Sequence, residues 1–260
     1  MTTYLDRIIA AHRIAAAAER RPLEALLTAA LSMPAPRDFG AALAGEAGLS
    51  IIAEVKRSSP SKGPLDEGLD PAALAREYRA GGAVCLSVLT DRDHFGGSPA
   101  DLVAARDASG LPVLRKDFTV GAADVCDSRL MGADAVLLIV AALTDAELGE
   151  LVGLAGRLCL GALVEVHDEA ELDRALTAGA SMVGVNQRDL HTFEVDPRRA
   201  ARLRPLIPAG VVAVAESGIA SPDDARRLAG LGYDAALVGE ALIRSADRAA
   251  AVAALCGSVV

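Results

Sequence analysis

Tryptophan is absent from this 260-residue chain, and aromatic residues make up only 3% of it. Any core must therefore be filled by Ala, Val, Leu and Ile; with 52% hydrophobic residues a sizeable core is expected. Positive charge is also in short supply. The formal net charge is −9, whereas nucleic acid and anionic membrane surfaces select a positive field, so neither is an expected partner. A local basic cluster is still compatible with a small anionic substrate. The four cysteines (Cys85, Cys126, Cys159, Cys256) contain no C-x-x-C pair, which reads as buried free thiols in a reducing compartment. His12, His94, His167 and His191 lack metal-ligand spacing, so no structural zinc is expected. The longest uncharged apolar run, around AVLLIVAAL, is too short to span a bilayer. Charged residues from Asp6 to Arg20 break any signal-peptide core. Together these absences predict a soluble, cytoplasmic protein.

Lysine is the scarcest charged residue. Among 26 basic residues only Lys56, Lys62 and Lys116 are lysines, and two of them close strand-like runs. Arg stays protonated at any working pH, whereas a Lys ammonium can release its proton when its surroundings change.

The leading segment reads as two helices, 4–20 and 22–32, followed by a proline-containing break from Met33 to Phe39. From Ile51 onward, eight apolar runs start at 51, 84, 112, 135, 162, 182, 211 and 235, separated by helix-like stretches. Several of those stretches open on Asp, Ser or Thr and most close near a Gly. Each interval fits one βα unit, which predicts a parallel sheet. Eight units in about 210 residues favour a closed (β/α)8 TIM barrel over an open doubly wound sheet, and no G-x-G-x-x-G turn follows the first strand. The predicted fold class is therefore α/β, a (β/α)8 barrel over 49–260 with an N-terminal helical extension over 1–48.

Barrel enzymes place their chemistry at the C-terminal ends of the strands. Those ends carry Glu54 and Lys56, Lys116, Glu165, Asn186 with Arg188, Glu216 with Ser217, and Gly239, while the strand starts are almost entirely apolar. Residues two apart on a strand face the same way, so Glu54 and Lys56 point to one side. A structural ion pair is the plainer reading, but burying two ions costs several kcal/mol unless the geometry is very good. Lys116 alone reads equally as a solvated loop lysine. Glu165, an acid between valines, needs a partner. Asn186 could simply start a turn, and Asp91, Asp117 and Asp189 read as caps of helices or turns. The Gly-bearing turns AESGI (215–219) and LVGEAL (237–242) follow strands seven and eight, where barrels often bind phosphate. A phosphate monoester is the expected ligand.

These stretches, IIAEVKRSSPS (51–61), LSVLTD…FGGS (86–98), PVLRKDF (112–118), GADAVLLIVAAL (132–143), LVEVHD (163–168), GVNQRDL (184–190), AESGI and LVGEALIR (237–244), resemble the indole-3-glycerol phosphate synthase family. The resemblance covers all eight strands in order, and residues 1–48 match the family's extension that helps cover the active-site mouth. It implies ring closure of 1-(2-carboxyphenylamino)-1-deoxyribulose 5-phosphate with loss of CO2 and water, in tryptophan biosynthesis, without metal or organic cofactor. It further implies Lys116 as first general acid and Lys56 at the substrate carboxylate, sharing later proton transfers. Glu165 and Glu54 would act in or orient those transfers, while Asn186 and Glu216 hold the lysines and substrate hydroxyls. Arg188 would bind near the carboxylate. Ser59, Gly218, Gly239 and the Glu240 backbone would cradle the phosphate beside Ser217, and Phe95, Phe118, Leu137, Ile139, Leu163 and Leu190 would form the slot for the benzene ring. Some family members have a serine where this chain has Glu240, and an acid beside a phosphate can help only through its backbone N–H. Lys62 is given no role beyond electrostatic help.

Two other readings make predictions that the sequence does not meet. Phosphoribosylanthranilate isomerase predicts a Cys general base near the end of strand one, and none lies there. A non-catalytic sugar-phosphate-binding descendant predicts loss of Lys56, Lys116 or Glu165, and all three are present. The expected partner is one small phosphorylated substrate, bound by a monomer or weak homo-oligomer.

Overall fold

Eight short apolar runs become eight parallel strands: β1 Ser50–Val55, β2 Cys85–Leu89, β3 Val113–Lys116, β4 Ala135–Ile139, β5 Gly161–Val166, β6 Met182–Asn186, β7 Val212–Glu216 and β8 Ala235–Val238. Every start lies within one residue of the position expected from the apolar pattern. This computed structural model describes residues 4–44, 48–59, 63–66, 68–189 and 192–257. Neighbouring strands pair in sequence order, and β1 pairs with both β2 and β8, which closes the cylinder. Most strand positions are buried on both faces, because the helices cover the outside while side chains fill the inside. The core is aliphatic, as the composition requires. Among the described residues, the fully buried large aromatic side chains are Tyr78 and Phe39.

Side-chain caps set where the outer helices begin. Asp70, Ser98, Thr144, Asp168 and Ser221 each accept a backbone N–H from the first turn of the helix that follows, each worth about 1 kcal/mol of helix stability. A final helix, Arg248–Cys256, is capped by Asp247; its Ala-rich run after β8 was not anticipated, although the Asp cap was legible.

Ahead of the barrel lie α1 (Tyr4–Ala18), α2 (Leu23–Ser32) and α3 (Phe39–Leu43). Only α1 reaches the mouth at the strand C-termini. His12 Nε2 lies 3.0 Å from Asp91 Oδ2, and Arg13 donates to both Glu147 oxygens and to the Ala142 carbonyl. α2 packs on the helix Ala122–Leu130. The chain then descends to the opposite end, where the Arg37 N–H donates to Asp134 and Ser50 Oγ to the Leu43 carbonyl. The break from Met33 to Asp38 carries no helix, because its two prolines cannot continue one.

The thiols depart from expectation. Cys85 and Cys126 are buried, but Cys159 is exposed and Cys256 half-buried. Cys159 sits with φ 57° in the turn after the helix Asp145–Arg157, outside the cylinder.

Candidate active site

The polar residues at the strand ends converge on one cavity of about 540 Å³ at the barrel mouth. Glu54, Lys56, Lys116, Glu165, Asn186 and Glu216 all line it. Their convergence follows from register: β6 and β7 align Asn186 with Glu216, and β4 and β5 align Ile139 with Glu165. Parallel strands in a closed barrel bring such positions to one rim although the chain separates Glu54 from Glu216 by 162 residues.

Lys116 is the hub. Its Nζ donates to Glu165 Oε2 at 2.7 Å and to Glu216 Oε2 at 2.8 Å. Both carboxylates are only 2% exposed. Glu165 Oε1 accepts from Asn186 Nδ2 at 3.0 Å, and Asn186 Oδ1 in turn accepts the Arg188 N–H. Lys56 donates to Glu54, forming a second ammonium–carboxylate pair across the cavity wall. Two glycines make room for these acids. A Cβ on Gly184 would collide with Glu216 Oε1, and one on Gly239 with Glu54 Oε1.

The electrostatics separate the two acids that share Lys116. Burial pushes Glu165 up, but the Lys116 ammonium, His167 and two hydrogen bonds outweigh it and hold Glu165 at about 2. Glu216 goes the other way. Burial and the Glu165 charge exceed the pull of Lys116, raising Glu216 to about 7, and its Oε1 is buried with no hydrogen-bond partner. Burial lowers the Lys116 ammonium, yet the charges of Glu165, Glu216 and Glu54 more than compensate and the net shift is upward. The two acids that share Lys116 are thus shifted in opposite directions, one held down and the other pushed up, a separation of proton affinities that acid–base sites use.

Beyond β7, Ser217 and Gly218 adopt φ 66° and 69° in succession. Left-handed backbone is free for Gly but costs a serine of order 1–3 kcal/mol, so it persists only where surroundings hold it. Gln187 Nε2 donates to the Ser217 carbonyl at 2.6 Å and supplies that hold. Ser59, Ser217, Gly218, Gly239 and Glu240 line the adjoining end of the cavity. The Glu240 carboxylate pairs with Arg244 at 3.3 Å, which partly neutralises the acid at this end.

A profile of the indole-3-glycerol phosphate synthase family matches residues 5–255. The chain belongs to the indole-3-glycerol phosphate synthase family. It is 52% identical over 235 residues to indole-3-glycerol phosphate synthase 2 of Streptomyces coelicolor, covering 90% of this chain and 91% of that one. It is 48% identical to the indole-3-glycerol phosphate synthase of Laribacter hongkongensis, covering 98% and 99%. Among solved structures, a thiamine phosphate pyrophosphorylase from Pyrococcus furiosus superposes with a TM-score of 0.60 over 81% of this chain and 94% of that one, at 16% identity, a likeness of fold. The family acts on a small phosphorylated substrate, and no helix among the described residues is long and apolar enough to cross a membrane.

For this family member, Arg188, Phe95, Phe118, Leu137 and Ile139 also line the cavity. Leu163 does not. It is fully buried and lies two residues before Glu165 on the same face of β5, one layer deeper in the barrel. Leu190 and Lys62 fall outside the described residues. Missed altogether were Tyr4, Leu5 and Ile8 of α1 and Phe193, all of which line the mouth. The apolar spacing 4, 5, 8 on α1 was the available signal, and Tyr4 meets the Phe193 ring at 5.8 Å.

Asp91 and Asp117 do more than cap turns. With His12 they bring ligand-type atoms within 4.8 Å of one another, a spatial cluster that linear spacing could not reveal. Burial pushes Asp91 up, but hydrogen bonds from His12 and from the His94 backbone and ring hold it at about 2. Asp117 accepts from Thr90 and, at 2.9 Å, from Arg115. A cation would have to displace these donors, so the cluster fits an ion-paired clasp on α1 better than a metal site.

Proposed function

We infer that this chain converts 1-(2-carboxyphenylamino)-1-deoxyribulose 5-phosphate to indole-3-glycerol phosphate, with loss of CO2 and water, as a carboxy-lyase of tryptophan biosynthesis. The observation that carries this reading is Lys116 clamped between two buried carboxylates, one held low and the other near neutrality, inside a mouth with apolar walls. The benzene ring takes the slot of Phe95, Phe118, Leu137 and Ile139, with Leu163 beneath and Leu190 the remaining family position. The phosphate lies at Ser59, Ser217, Gly218, Gly239 and the Glu240 N–H. Lys56 and Arg188 face the substrate carboxylate.

In this reading Lys116 protonates the ketone oxygen as the ring carbon attacks, and the substrate's carboxylate departs as CO2. A second proton then removes the hydroxyl as water, while a carboxylate takes one proton from the adjacent carbon. Two carboxylates on one ammonium make it a reluctant acid. Protonation of Glu216 near neutral pH removes one of them and frees the Lys116 proton for transfer, closer to the matched acidity that general acid catalysis needs. Glu54 orients Lys56, and Asn186 orients Glu165. Residues 1–48 form an extension whose first helix caps the filled site, with 49–260 as the catalytic barrel.

The test is direct. Purified protein given the carboxyphenylamino-deoxyribulose phosphate should develop indole fluorescence against a background free of tryptophan. No signal with this substrate, or turnover of phosphoribosylanthranilate instead, would overturn the reading.

A further inference from the structure

The chemistry above has a proton balance. The ketone oxygen gains one proton and the departing hydroxyl a second, while formation of the pyrrole double bond releases one. The carboxylate leaves as CO2, its bonding pair returning to the ring. Each turnover therefore draws one proton from solvent, into a site whose mouth is occupied by substrate and bordered by α1.

A route lies behind the site. His167 follows β5 directly and is not part of the cavity lining. Its Nε2 lies 3.5 Å from Glu165 Oε1 and has no hydrogen-bond partner in the resting arrangement. Its Nδ1 lies 3.0 Å from Glu171 Oε2, which also accepts the His167 N–H at 2.8 Å and so fixes the ring. Exposure rises along this line, from 2% at Glu165 to 12% at His167 and 17% at Glu171.

Resting on the function proposed above, we propose that His167 is a positioning residue that relays the consumed proton from Glu171 at the surface to Glu165, and through it to Lys116. A proton reaching Nδ1 forms an N–H bond there while the Nε2–H bond breaks toward Glu165 Oε1. Glu165, now protonated on Oε1, turns its carboxyl about the Cγ–Cδ bond and releases that same proton to the Lys116 amine that has just delivered its own. Charge and atoms are conserved at each step; the imidazole ends with its proton on Nδ1 and resets after product release, when Nε2 takes a proton from the open site and the Nδ1 proton returns to Glu171. The other groups facing His167 are Arg199, whose Nη1 donates to the Asn186 carbonyl, and Asn186, which holds the same Glu165 oxygen. Burial and Arg199 lower the imidazole's proton affinity, but Glu171 and Glu165 raise it further, and the net shift is upward.

The experiment measures kcat and KM of His167→Ala in weak buffer, with and without added imidazole. kcat should fall about 100-fold, the low end of what a positioned proton-transfer group contributes, with KM within twofold of wild type. Imidazole should restore kcat in proportion to its concentration. A kcat within twofold of wild type would overturn the relay, and so would a loss that imidazole does not restore, since that marks a structural role. If the Ala variant does not fold, Glu171→Gln carries the test: about a tenfold loss of kcat at unchanged KM supports the relay, and wild-type kcat overturns it. Absence of indole formation by the unmodified chain would instead overturn the proposed function.

Discussion

Replacing Lys116 with Met removes a single ammonium that donates to two buried carboxylates, and both the chemistry and the fold should register it. Deleting one partner of a buried ion pair costs about 3–5 kcal/mol, but here protonation limits the damage. Glu216 already sits at about 7 with the ammonium beside it. Without Lys116 it rises further and is neutral at pH 7. Glu165 loses its largest favourable partner and climbs from about 2, keeping only Asn186 and His167. The sign of the pH effect follows. In the wild type, the depressed Glu165 contributes stability above its ordinary 4.5 that is lost as pH falls through that value toward 2. In the variant a raised carboxyl keeps its proton in the folded chain while the unfolded chain releases it, so stability falls as pH rises. The deficit relative to wild type should therefore be small near pH 2, where Glu165 is protonated in both proteins, and reach about 3 kcal/mol by pH 8. Urea unfolding followed by circular dichroism at both pH values reads it. Indole fluorescence should show kcat reduced about 100- to 10,000-fold. A deficit equal at the two pH values would refute the electrostatic argument, and kcat within tenfold of wild type would remove Lys116 as the acid.

Glu165→Gln keeps the shape and the Asn186 contact but cannot accept a proton, so kcat should drop at least about 100-fold with little change in KM; an effect confined to KM would assign it to binding. Gly239→Ala drives a methyl group into Glu54, and should cost about 1–3 kcal/mol of stability while lowering kcat/KM as Glu54 shifts from Lys56; unfolding and kinetics unchanged from wild type would contradict that close approach. Inorganic phosphate should inhibit competitively against substrate, and Gly218→Val, which forces a branched side chain into left-handed backbone beside Val195, should weaken that inhibition at least tenfold; equal inhibition constants would place the phosphate elsewhere.

The buried charges also explain why this site is rigidly built. A carboxylate at 2% exposure is tolerable only if its hydrogen bonds are met, and here Lys116, Asn186 and the two glycines each satisfy or accommodate one. Among the described residues, the one buried carboxylate oxygen without a hydrogen-bond partner, Glu216 Oε1, belongs to the acid whose proton affinity is raised. Strain at Ser217 lies next to it in sequence, so a left-handed non-glycine backbone and a carboxyl with raised proton affinity adjoin at the end of β7.

Much of this was readable along the chain. The eight strand starts were legible to within a residue, because a strand buried on both faces must be a short continuous apolar run bounded by turn and cap residues. The rim acids and lysines were legible for the same reason: a charge ending such a run stands out. Leu163, assigned to the ring slot by the family resemblance, lies one layer below the cavity lining, because a matched motif carries a position over without its depth in the barrel. Tyr4, Leu5 and Ile8 escaped because an apolar stripe on a leading helix says that something is covered and not what, and Phe193 because a lone aromatic in a loop has no periodicity to read. Sequence alone thus determined the order of elements, the aliphatic core and which residue types crowd the strand ends. Only closure of the barrel decided that Lys116 meets Glu165 and Glu216 rather than water, that these two acids are driven apart in proton affinity, and that His12 meets Asp91 near the mouth. Those outcomes depend on distances of about 3 Å between residues far apart in the chain, and on the removal of water around them, neither of which any local pattern encodes.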